Sequence, residues 1–252
     1  MTDSHPLIWL ALLGATVAAA LRFTHPLMLA SFVVALLLTG FLVRGPRVAS
    51  FGFACVGALA AALVWAGWTL LVPTGSGDVV FSLPEHTFGP GVRLGGAVTT
   101  DSLERGITNA LAASAVVLAI GVAGQLVSAR GWLSLARLTG PLAPAFGWLA
   151  SCGEACAEVA SSRRQARGRH LRPSLDVWLG ATRDVARDLP GVTPKLLLRP
   201  HRADLWQGLA AVAWVAAVVF APRIGVVGVA VAALLLPVAV ALGTPRREAA
   251  HA

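Results

Sequence analysis

The sequence predicts an all-α integral membrane protein of about six transmembrane helices, with two or three amphipathic cytoplasmic helices between spans 4 and 5. Three observations predict it. Of 252 residues, 56% are hydrophobic and 13% charged, with a mean hydropathy of +0.74, whereas an average soluble domain is about a quarter charged. Apolar runs recur that approach or reach the ~20 residues needed to cross ~30 Å of hydrocarbon. The basic residues are gathered mainly into one segment.

The runs are Leu7–Leu21, Leu27–Val43, Val48–Val72, Ile107–Val127, Leu205–Ala221 and Ile224–Leu242. The first has no positive region before it and no clear cleavage site after it, so it reads as a retained span rather than a leader. It and the second are short and are divided by a break at His25-Pro26. The last two are divided only by Ala221-Pro222-Arg223, which fits either a hairpin or one long broken helix. Three regions follow: 1–127 with spans 1–4 and an outer loop at 73–106, 128–204 as the cytoplasmic segment, and 205–252 with the last spans and a basic tail.

Charge predicts the orientation. The segment Ser128–Asp204 holds twelve of the twenty basic residues. With it in the cytoplasm, Arg44, Arg47, Arg246 and Arg247 also fall inside, and only Arg22, Arg93, Arg105 and Arg223 fall outside. Sixteen against four is the positive-inside pattern. It places both ends of the chain inside, in a multi-pass protein of a bacterial cell membrane. The net charge of +8 is thereby explained without nucleic acid as a partner; the lipid bilayer is the partner implied.

The 128–204 segment is long for structureless chain, and its pattern is helical. Trp132–Leu138 forms a short helix ended by Thr139-Gly140-Pro141. A longer one runs from Ala145 to Gly168, with Phe146, Leu149, Cys152, Cys156 and Val159 on one face and Glu154 and Glu158 on another. Arg163, Arg164 and Arg167 occupy its last turns, where cations suit the helix dipole. A third runs from Ser174 to Leu189, before Pro190-Gly191.

Chemistry is sparse. The glycines of Gly89–Gly96 lack the Gly-Lys-Ser/Thr ending of a phosphate-binding loop, and the one lysine, Lys195, stands elsewhere. The histidines are scattered without a His-Glu-x-x-His motif, and Cys152 and Cys156 lack further metal ligands nearby in sequence. Neither a catalytic group, a metal site nor a cofactor is expected. Glu154 and Glu158 fit a solvated helix face or pairing with nearby arginines. The most informative feature is Ala166-Arg167-Gly168 at the end of the long helix. It fits an anchor on anionic lipid. It also fits a protruding tip, where small neighbours let a guanidinium enter a groove and pair with a carboxylate bidentately. Ala129-Arg130-Gly131 repeats the tripeptide outside that setting.

Three stretches resemble the transmembrane T component of energy-coupling-factor (ECF) transporters, the CbiQ/EcfT family: His25-Pro26-Leu27; the run from Leu133 through Leu142-Ala143-Pro144 to Glu154, Glu158 and Ala166-Arg167-Gly168; and Arg202-Ala203-Asp204. The resemblance implies a non-catalytic coupling subunit of an ATP-driven importer. Its partners would be two ABC-type ATPase subunits and a small membrane-embedded S component that captures a metal ion or vitamin. Ala166, Arg167 and Gly168 would form the ATPase-coupling motif, supported by Glu154, Glu158, Arg163 and Arg164. The family's second motif is represented at most by a degenerate Ala186-Arg187-Asp188, close behind the first. Two other expectations compete. A membrane-embedded enzyme acting on lipid would use polar groups such as His25, Asp101 and Glu104. A permease forming its own pathway would need intramembrane charges, which the spans largely lack.

Overall fold

The computed structural model describes residues 5–43, 48–73, 75–89, 92–127, 132 and 202–243. They form helices α1 (Pro6–Arg22), α2 (Pro26–Leu42) and α3 (Val48–Leu71), strands β1 (Val79–Gly89) and β2 (Val92–Thr99), and helices α4 (Thr100–Leu126) and α5 (Arg202–Gly243). Ser50–Leu71, Thr100–Leu126 and Asp204–Leu242 are each long and apolar enough to cross a membrane; α1 and α2 are shorter apolar helices. The chain is thus a mostly helical membrane protein.

The short helices begin alike. At both His5-Pro6-Leu7 and His25-Pro26-Leu27 the histidine is the N-cap, and its Nδ1 accepts a bond from the leucine N–H, at 3.4 and 3.3 Å. Proline takes the first helical position, where its missing donor costs nothing. The break at His25-Pro26 is therefore a helix start. Inside these helices the buried hydroxyls of Thr16 and Thr39 donate back to Leu12 and Ala35 carbonyls, so neither is left unbonded in an apolar interior.

The 73–106 stretch is more ordered than its composition predicts. It contains an antiparallel β-hairpin, which departs from an all-α architecture. Register runs from Val79 opposite Thr99 to Gly89 opposite Val92, interrupted by three irregularities. Gly95 and Gly96 have positive φ, and a Cβ on Gly95 would strike the Pro84 carbonyl. The glycine-rich stretch thus serves a tight strand crossing. Span 4 also starts earlier than Ile107. Thr99 and Ser102 form a reciprocal capping box and Asp101 lies in the first turn, so α4 begins at Thr100.

α5 resolves the choice at Ala221-Pro222-Arg223. Gly225, at φ 63° and ψ −173°, interrupts the helix. Trp214 Nε1 donates to the Ala233 carbonyl at 3.2 Å, whereas a straight helix would hold these residues about 28 Å apart. The two arms therefore fold back as a hairpin.

The core lies among α1, α2, α4 and α5. Trp9, Leu12, Leu29, Phe32, Leu36, Leu118, Val122, Trp214 and Leu236 are buried there in one cluster. Phe32 sits between Phe23, edge-on with centroids 5.9 Å apart, and Trp214, tilted at 4.4 Å. α3 lies to one side and packs chiefly on α4. Small residues allow the approach: Gly121 abuts Ala54, Gly106 abuts Thr69, and Ser114 Oγ donates to the Ala58 carbonyl at 3.1 Å. The rest of α3 exposes Val56, Leu59, Leu63, Val64 and Trp68, a surface suited to lipid rather than water.

Candidate functional site

Every residue of the expected coupling motif and its support (Glu154, Glu158, Arg163, Arg164, Ala166, Arg167, Gly168, Ala186, Arg187 and Asp188) lies outside the described residues. The same holds for the three helices expected between 132 and 189, except Trp132, which is buried. The structure does describe the frame from which that segment departs and to which it returns.

The departure point is braced. α4 closes with the Val127 N–H donating to the Ala123 carbonyl at 2.9 Å. Two residues earlier, Gln125 is 5% exposed, and its Nε2 donates to the carbonyls of Val43 at 2.8 Å and Gly40 at 3.4 Å. Those carbonyls belong to the C-terminal end of α2, where helix geometry leaves acceptors without partners. One amide thus joins the ends of α2 and α4. Its Oε1 is buried without a hydrogen-bond partner among the described residues.

The return point is braced as well. Asp204, in the first turn of α5, is buried and accepts from the His5 backbone N–H at 3.0 Å. The carboxylate lies where the positive end of the helix dipole favours it, and it ties α5 to the start of α1. Arg202-Ala203-Asp204 therefore brings its aspartate to a junction between helices. Gln207, one turn on, is also buried.

Sequence reasoning did not single out Gln125 or the Asp204–His5 contact. A signal for the first exists: Gln125 is a lone amide near the end of an apolar run, and intramembrane polar groups rarely lack a partner. For the second there is none, because His5 and Asp204 are 199 residues apart.

The polar groups weighed for an enzyme lie at the opposite end of the bundle, each with its own local partners. Thr108 Oγ1 donates to the Glu104 carbonyl at 2.7 Å and to the Thr24 carbonyl at 3.3 Å, which brings the α1–α2 connection beside the start of α4. His25 is engaged as a cap, and Asp101 Oδ2 accepts from Ser76 Oγ at 3.1 Å. Among the described residues, no group of three or more His, Cys, Asp or Glu could hold a metal ion. An open apolar groove of ≈ 520 Å³ runs between α1 and the first arm of α5, lined by Leu7, Ala11, Gly208, Val212, Ala216 and Phe220 among others. Among the described residues it offers no charged side chain to orient a polar substrate. Against known proteins, the chain matches no family model, no curated protein and no solved structure.

Proposed function

We propose that this chain is the non-catalytic coupling subunit of an ATP-driven importer of the ECF type. Ala166-Arg167-Gly168, at the end of a helical pattern in a long arginine-rich segment, carries the reading, together with the lack of a phosphate-binding loop. In this proposal six spans cross the cell membrane and both chain ends lie in the cytoplasm. Two ABC-type ATPase subunits supply the hydrolysis, and a separate S component selects a metal ion or vitamin.

Arg167 pairs with a carboxylate in an ATPase groove, and movement of that ATPase tilts the helix. The braces at Gln125 and Asp204 support this reading, because they give the 128–201 segment firm attachments to α2 and α1. A segment so attached passes displacement into the bundle instead of absorbing it at slack joints.

The test is co-purification in mild detergent with the ABC-type ATPase subunits proposed as its partners. Arg167→Glu opposes a carboxylate to a carboxylate and is expected to reduce recovery at least about tenfold, since losing a buried charge pair costs 2–5 kcal/mol. Arg167→Lys keeps the charge but loses the planar fork, and falls between. Undiminished recovery and uptake with Arg167→Glu would overturn the proposal.

A further inference from the structure

The β-hairpin carries its apolar residues in an unusual place. Val79, Val80 and Phe81, at the start of β1, are 60%, 52% and 41% exposed. Val98, opposite Phe81, is buried, whereas Val79, Val80 and Phe81 leave an uncovered apolar patch on the hairpin's base. Further along β1 the exposed residues turn polar, at Glu85, His86 and Thr87.

The base also lies at a particular depth. Val79 pairs with Thr99, the N-cap of α4, and the Asp78 carbonyl accepts from the Thr100 N–H at 3.0 Å. Gly106 lies against Thr69 in the last turn of α3, beside the exposed Trp68 and Leu71. From Gly106 to Thr99 the helix rises about 10 Å. A bilayer with a ~30 Å core and ~40–45 Å total thickness leaves about 5–8 Å for each interfacial layer. The base thus stands just beyond the apolar surface of α3, at headgroup height and continuous with it.

We propose that Val79, Val80 and Phe81 anchor the hairpin in the interfacial layer of the bilayer, with neutral phospholipid as the partner, and hold Glu85, His86 and Thr87 in water. Asp78, Asp101 and Glu104 outnumber Arg22 and Arg105 at this end, so anionic headgroups gain little there. The anchor requires the chain to lie in a bilayer but does not require the coupling role.

The unaltered chain in single-copy nanodiscs of phosphatidylcholine carrying a headgroup-proximal diazirine tests this. Adducts are expected on α3 and on the peptide holding Val79–Phe81. Adducts on α3 alone would overturn the anchor, and none on α3 would overturn the bilayer placement with it. Replacing half the lipid with an anionic one should leave the adduct yield at Val79–Phe81 within about twofold; a tenfold rise would overturn the choice of neutral lipid. Spin labels at Phe81→Cys and Thr87→Cys, with Cys55, Cys152 and Cys156 replaced, provide a second measurement. Residue 81 should favour oxygen and residue 87 an aqueous nickel reagent. Equal aqueous access at both, or shielding of residue 81 from both reagents by protein, would overturn the proposal.

Discussion

A few side chains make junctions that composition does not announce. Gln125 is one of a handful of polar residues in the α4 run, and it closes two α2 carbonyls. Gln125→Leu keeps the volume but abandons those acceptors. Hydrogen bonds within membranes average ~0.6 kcal/mol and reach ~1.7, so the expected loss is about 1 kcal/mol, read as a lower midpoint in thermal unfolding from detergent. Gly121→Leu should cost more, about 1–3 kcal/mol through overpacking, because its side chain would meet Ala54 across the α3–α4 contact. The same unfolding measurement ranks the two, and equal midpoints would contradict the packing described. The sequence made Gln125 visible as an oddity. It could not name Val43 as the acceptor, because that pairing joins residues 82 positions apart.

The local signals for elements vary in clarity. His-Pro-Leu marks a helix start twice, since the capping atom, the ring and the apolar run lie within three residues. The β-hairpin was obscured because Pro84, Gly95 and Gly96 resemble loop residues, and only their pairing shows that they accommodate an irregular register. At α5 the proline announced a break but not its angle. Gly225, three residues beyond Pro222, adopts a backbone region that is essentially glycine's alone. A Cβ there meets nothing within 4 Å, so the cost of substitution is backbone strain and not collision. Gly225→Ala and Gly225→Leu should therefore destabilise by the same amount, about 1–3 kcal/mol, in denaturant titrations. A much larger loss for leucine would show that the turn is crowded.

At the scale of the molecule, contacts fix which helix ends share a side. His5 meets Asp204, and Gln125 meets Val43, at one end; Thr24 meets Thr108 at the other, beside the hairpin. Adjacent apolar segments thus run in alternating directions, and the arginine distribution proposes the first end as cytoplasmic. Cysteines introduced at Thr87 and Arg223 should react with a membrane-impermeant maleimide on intact cells, while those at Gly45 and Arg246 should react only after lysis; the reverse pattern would invert the orientation. The sequence alone determined that the chain belongs in a membrane, roughly where the described helices lie, and that its positive charge is gathered mainly in one segment. These are properties of composition and short-range pattern, to which each residue contributes without reference to distant ones. Tertiary structure alone decided that the last apolar stretch folds back at Gly225, that α3 stands at the edge on a small-residue seam, and that Gln125 and Asp204 join helices distant in sequence. Each of these depends on which surfaces meet, and an apolar helix face is equally satisfied by many partners until packing selects one.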